Sequence, residues 1–179
     1  RGSVPAAETD AAGLGERMIQ RWQLSYRADP RVAKLADRHY SRKTPGSPQF
    51  VPPGRCVVLW MSGAAWTTSW PFPEFVKHRW PGAWINSLFR KEIPGRASEF
   101  IVDAVAATRA IWPDVPELGM ISFVDAAKVR HKRDPGRSYL RAGFRRVGTT
   151  AGGLLVFQLL PEAMPAPSLP LGWTPKLIL

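Results

Sequence analysis

The chain has 179 residues, 45% of them hydrophobic, a size that fits one domain with a real core and at most a short appendage at an end. Its single cysteine, Cys56, excludes an internal disulfide framework, and no stretch approaches the roughly 20 uninterrupted apolar residues of a membrane span. The balance of 25 Lys and Arg against 14 Asp and Glu gives a formal charge of +11, which favours a polyanionic partner without saying whether that is nucleic acid or a phosphate-bearing cofactor.

Residues 1–15 are small and polar and are expected to form a flexible N-terminal segment, before a domain over 16–160. The alternation of Met18, Trp22, Leu24 and Tyr26 predicts a first strand over 18–27. Asp29-Pro30 is a helix start, and Val32, Leu35 and Ala36 mark one face of a short helix ending near His39. A Pro-, Gly- and Ser-rich loop fills 41–53. Two strands, 55–61 and 64–70, flank the tight turn Ser62-Gly63, and a third covers 83–90.

Ala97, Phe100, Ile101, Ala104, Val105, Thr108, Ile111 and Trp112 keep the spacing of an amphipathic helix, which Pro113 stops. A buried strand over 119–124, a short helix over 138–142 and a final strand over 154–160 follow. Five prolines between 161 and 176 predict an extended C-terminal tail over 161–179. This order predicts an α/β domain with a mixed central sheet flanked by helices, the long helix crossing over between two parallel strands. Cys56, beside an apolar run, is expected to be a buried, inert thiol in a reducing compartment.

Gly95, Arg96, Ala97 and Ser98 open the long helix. Its first N–H groups lack intrahelical partners and sit at the positive end of the helix dipole, and small side chains let a pyrophosphate approach them. Further on, Tyr139-Leu140-Arg141-Ala142-Gly143-Phe144 has the form Tyr-x-x-x-Gly-Phe. Together with the element order, these segments resemble the GNAT acyltransferase superfamily over roughly residues 18–160. A single glycine stands where that family carries a longer Gly-rich pattern. His39-Tyr40-Ser41-Arg42, the 96–99 helix start, Ser122-Phe123-Val124-Asp125 and Tyr139 narrow the likeness to the phage Mom family, although Lys132 to Gly136 stands where a Gly-His pair is usual.

The resemblance implies a GNAT-like single domain that binds acetyl-CoA or another acyl-CoA through Gly95 to Ser98. It implies catalysis by His39, Tyr40, Asp125 and Tyr139, and transfer of an acyl-type group to a base amine, adenine, in double-stranded DNA, which protects phage DNA from restriction. It also implies a metal ion, such as iron, shared by His39 and Asp125. A homodimer is a further expected state, no membrane is expected, and the compartment expected is the cytoplasm, the host's if a phage encodes the chain.

Each residue also has a plainer role open to it. His39 can be a general base, its ordinary pKa lying near 6.5, or a histidine favoured at a helix end by the dipole. Asp125 can serve chemistry beyond the end of a sheet strand or cap the following turn. Tyr139 can protonate a departing thiolate or pack as core; Ser98 can bind a phosphate or cap its helix. Lys128, Arg130, Lys132, Arg133 and Arg137 belong to a basic cluster suited to phosphates or to solvent. Trp80 and Trp84 can stack on an extruded base or fill the core. Two other functions fit the sequence: an ordinary GNAT N-acetyltransferase acting on a small-molecule or protein amine, and a non-catalytic DNA-binding protein on a degenerate version of the fold.

Overall fold

The structure, a computed structural model, describes residues 22–129 and 134–174. Asp29 caps the first helix, α1 (Pro30–Asp37): its carboxylate accepts from the Arg31 N–H at 2.8 Å, and Val32, Leu35 and Ala36 are buried as their spacing predicts. The short first strand is β1 (Gln23–Ser25); the earlier part of the expected strand, 18–21, lies outside the described residues. β2 (Arg55–Met61) and β3 (Ala64–Trp70) form the expected hairpin, Met61 opposite Ala64 across Ser62-Gly63.

β4 (Trp84–Lys91) pairs antiparallel with β3, and α2 (Ala97–Ile111) carries the chain over to β5 (Met120–Val124), which lies parallel to β4. After α3 (Arg137–Arg141), β6 (Arg145–Thr149) and β7 (Leu155–Leu159) complete a mixed seven-stranded sheet of order β1-β2-β3-β4-β5-β7-β6. The fold is thus α/β, with few helices. No described helix is long and apolar enough to cross a membrane.

One sheet face carries Trp66, Trp84, Met120 and Phe157, all essentially without exposure, under Phe100, Ile101, Ala104 and Val105 of α2. α1 covers part of the other face over Val58, Ala65 and Leu88. Polar groups inside the larger core are paired: the Trp66 indole N–H donates to Thr68 Oγ1 at 2.8 Å, and Thr108 Oγ1 lies 3.1 Å from that oxygen while donating to the Ala104 carbonyl at 2.9 Å.

Two expectations are corrected, and the tail gains a position. The strand β6 is additional: Arg145, Arg146 and Gly148 give it no apolar alternation, because it is an exposed edge strand with an irregularity between Arg146 and Gly148. The described part of the extended C-terminal tail is docked on the domain. The Ser168 amide donates to Ala106 O on α2, and Leu171 exchanges backbone hydrogen bonds with Trp22 and Leu24 at 2.8 Å each, extending the sheet beyond β1. Cys56 is half-buried, with an Arg27 guanidinium nitrogen 3.5 Å from its sulfur.

Candidate functional site

The site begins where β4 and β5 part. Their pairing runs Trp84 with Met120, Ile85 with Ile121 and Asn86 with Ser122, and stops there, although β4 continues to Lys91 and β5 to Val124. At the same level β4 bulges: Thr67 faces Leu88 and Thr68 faces Asn86, leaving Ser87 as the extra residue. A cleft of about 500 Å³ opens at the fork, lined among others by His39, Tyr40, Asn86, Ser122, Asp125 and Tyr139. It passes into a second space of about 280 Å³ between Phe89 and Lys91 on β4 and Val124 on β5, which ends at Ala97 and Arg137. The space beyond, about 420 Å³, lies between the start of α2 (Arg96, Ala97, Ser98) and Arg137, Ser138 and Arg141 of α3, with the carboxylate residue Asp134 also in its lining.

At the fork Asn86 is nearly fully buried. Its amide nitrogen donates to the carbonyls of Thr67 (3.1 Å) and Leu88 (2.9 Å), which spends both hydrogens and fixes Oδ1 as an acceptor. That oxygen receives the Tyr139 hydroxyl at 2.6 Å and the Ser122 hydroxyl at 3.3 Å. Tyr139 stacks on Phe157, and burial pushes its hydroxyl well above the ordinary tyrosine range, so it stays protonated. The start of α3 sits tight on the same core: Gly136 has φ +88°, and a Cβ there would lie 2.0 Å from the Phe157 ring.

His39 lies beyond the end of α1 and its ring packs on Tyr40, centroids 4.3 Å apart. Its Nδ1 accepts from the Ser41 amide at 3.3 Å and lies 2.7 Å from the Ser41 hydroxyl, an arrangement that puts the proton of the neutral ring on Nε2. This rim is tied to the end of β4 by ions. Arg38 makes a two-pronged pair with Glu92 at 2.6 and 2.7 Å, Arg90 reaches the same carboxylate at 2.8 Å, and Arg90 also donates to the Arg38 carbonyl. Arg38, then Arg90, hold the Glu92 carboxyl at about 2.

Tyr40 lines the cleft, and burial pushes its hydroxyl up. Asp125 also lines the cleft, but its Oδ1 accepts from the Ala127 and Lys128 amides at 3.0 and 3.2 Å, the turn-capping role open to it from sequence. The two described donors His39 and Asp125 do not by themselves make a coordination shell. Among the described residues no group of three or more His, Cys, Asp or Glu is placed to hold a metal ion.

The structure brings His39, Tyr40, Asp125 and Tyr139 to one cleft and puts Arg96, Ala97 and Ser98 at its far end. Gly95, φ +107°, makes the turn before the helix rather than lining the space. No side chain caps α2, and Ala97 and Ser98 line the hollow. The basic cluster divides. Arg137, with Arg141, flanks the α2 start, whereas Lys128 sits at the other end, its ammonium 3.4 Å from the Tyr40 carbonyl. Arg130, Lys132 and Arg133 lie outside the described residues.

Trp84 is wholly buried against Trp70 and Trp112, so its ring cannot stack on a base, which corrects that expectation; Trp80 is half-buried at the surface. Sequence reasoning missed Asn86 and Lys91, and it gave Ser122 no role beyond its place in a motif. Asn86 and Ser122 share strand faces with Trp84 and Met120, and a polar residue at a core-facing strand position was the available signal. Lys91 is half-buried at the cleft, its ammonium bonded to the Ile93 carbonyl and 5.2 Å from the Phe100 ring centre, and burial lowers its pKa. No known family model, curated protein or solved structure matches the chain.

Proposed function

We propose that this chain is a GNAT-type acyltransferase that takes an acyl group from acyl-CoA and places it on a base amine of DNA, adenine above all. The observation that carries the reading is the fork between β4 and β5. A polar apex of Asn86, Ser122 and Tyr139 is joined by a continuous cleft to an uncapped helix start flanked by two arginines. A thioester with a long arm and a pyrophosphate fits that shape. The phosphates would lie at the Ala97 and Ser98 amides between Arg137 and Arg141, the arm along β4, and the sulfur near Tyr139.

In the reaction the amine nitrogen attacks the thioester carbonyl carbon, the C–N bond forms, and the C–S bond breaks with its electrons going to sulfur. His39 takes the proton the amine loses. Tyr139 would serve the leaving sulfur as a hydrogen-bond donor by swinging its single hydroxyl proton away from Asn86 Oδ1, which Ser122 continues to satisfy. With its hydroxyl held above the ordinary tyrosine range it is a weaker acid than a thiol, so outright proton transfer to the thiolate runs uphill. The proton collected by His39 reaches sulfur through solvent, which leaves an amide and a free thiol. DNA as acceptor rests on the +11 charge and on Lys128 and Lys43 at the open end of the cleft; Arg42 beside them is spent on Asp37 and the Ser47 and Gln49 carbonyls.

The test is to incubate the protein with acetyl-CoA and duplex DNA, digest the DNA to nucleosides and weigh them. An acylated adenine nucleoside that disappears with Tyr139→Phe and His39→Ala supports the reading. Unmodified DNA together with no binding of CoA overturns it, and CoA binding with an acylated small amine but unmodified DNA moves the acceptor to the ordinary acetyltransferase class.

A further inference from the structure

On the sheet face away from α2, a second hollow of about 520 Å³ adjoins the cleft, sharing Phe123 and Leu154 with it. Three rings form its wall. His78 lies 5.3 Å from Phe123 and 6.1 Å from Trp80, and Trp80 meets Phe123 edge-on at 6.3 Å. The Trp80 amide donates to His78 Nδ1 at 3.2 Å, which leaves the imidazole proton on the other nitrogen and the ring neutral; burial, which lowers the His78 pKa, acts in the same sense.

The opposite lip is the β6–β7 turn, whose Ala151 and Gly152 add almost no side chain, and Lys77 and Arg79 stand on the rim with no acidic residue in the lining. A neutral aromatic wall, a lip of small residues and a cationic rim match a planar ring attached to a phosphate. A partner held by carboxylates would need no ring wall, and an apolar peptide would gain nothing from the cations.

Resting on the reading of DNA as acceptor, we propose that this hollow is a second nucleobase subsite: it stacks the base next to the one being acylated, while Lys77 and Arg79 hold the intervening phosphates. The division follows from the geometry. The acceptor amine must reach Asn86 and Tyr139 at the fork, and the hollow opens beside that point across Phe123 and Leu154. A neighbouring base, one nucleotide away along an unstacked strand, is the group that arrives there. Such stacking tolerates any base and anchors the strand once the acceptor base has left the duplex.

The test uses the full chain and a fluorescein-labelled single-stranded DNA dodecamer with one central adenine, compared with the same strand lacking the base on either side of that adenine. Binding is read by anisotropy at low salt, and CoA binding by calorimetry reports on the fork separately. Trp80→Ala is expected to weaken dodecamer binding about tenfold, the scale of one stacked base, with Trp80→Phe near wild type and CoA binding unchanged. With the wild-type protein, removing the neighbouring base on one side should cost a similar factor, and with Trp80→Ala it should cost little more. Equal affinity of wild type and Trp80→Ala, or indifference of the wild-type protein to both abasic strands, overturns the subsite and leaves the acceptor reading standing. Failure of the wild-type chain to bind any of the strands overturns both.

Discussion

The two halves of the β4–β5 pair are built from the same strands and end in opposite states. In the lower half, Trp84 and Met120 are paired, dry and covered by α2. In the upper half, beyond Asn86 and Ser122, the strands no longer pair, and Phe89, Lys91 and Val124 face each other across open space. The lower half is held by buried area, the upper half by a few directed bonds: the Asn86 amide, the Tyr139 hydroxyl and the ions around Glu92. A sheet can be opened for a ligand when its backbone polar groups are satisfied elsewhere or left for that ligand, and when a packed half keeps the two strands from drifting.

Replacing the largest ring of the lower half should have the largest effect. Trp84→Ala removes a side chain with no exposure and is expected to cost about 3–5 kcal/mol of stability, read as a lower urea midpoint. An unchanged midpoint would mean that the closed half is not what holds the fork. In the upper half the effect should fall on rate instead. Tyr139→Phe is expected to lower acyl transfer about a hundredfold with little change in CoA affinity, and to cost only about 1 kcal/mol of stability, because it deletes one hydroxyl hydrogen bonded to Asn86 while Ser122 still serves that oxygen. Loss of stability rather than rate would assign Tyr139 to the core.

Asn86→Ala tests the hinge between the halves. It leaves the Tyr139 hydroxyl without its acceptor and two backbone carbonyls without a donor, so a loss of about 1–3 kcal/mol together with slower transfer is expected in denaturation and rate measurements. Arg137→Ala should weaken CoA binding roughly tenfold, and more at low salt than at high, with no change in the unfolding midpoint.

The smallest effect concerns the far end of the helix that carries the rim. The Asp29 carboxyl, hydrogen-bonded to Arg31 and Ser25, is held at about 2, below its value in an unfolded chain. Its contribution to stability is therefore complete above the unfolded pKa and is lost as pH falls from about 4 towards 2. Asp29→Asn should flatten that part of the acid-stability curve, and an unchanged slope would remove the carboxylate from the account of how α1 carries His39 and Tyr40 to the cleft.

Much of the fold was legible in the residues. The β-branched and aromatic runs put β2 and β3 at their observed bounds, the spacing from Ala97 to Ile111 gave α2, and the crossover gave the parallel pair. β6 was hidden because an edge strand needs no apolar face, and the docked tail because its prolines say only that it is extended. For the site, His39, Tyr40, Asp125 and Tyr139 were visible as residues and do share a cleft, but the turn-capping role of Asp125 was one of two open alternatives until its amide partners were seen. Trp80 and Trp84, four positions apart, looked alike and are not: one faces a surface hollow and the other the core.

The sequence by itself determined the elements, because propensity, capping and periodicity act within a few residues. Only the tertiary structure decided that the sheet forks at Asn86 and that a tyrosine 53 positions away lends its proton to that amide. Such contacts depend on how α2 and α3 pack across the strands, and no local pattern encodes that packing.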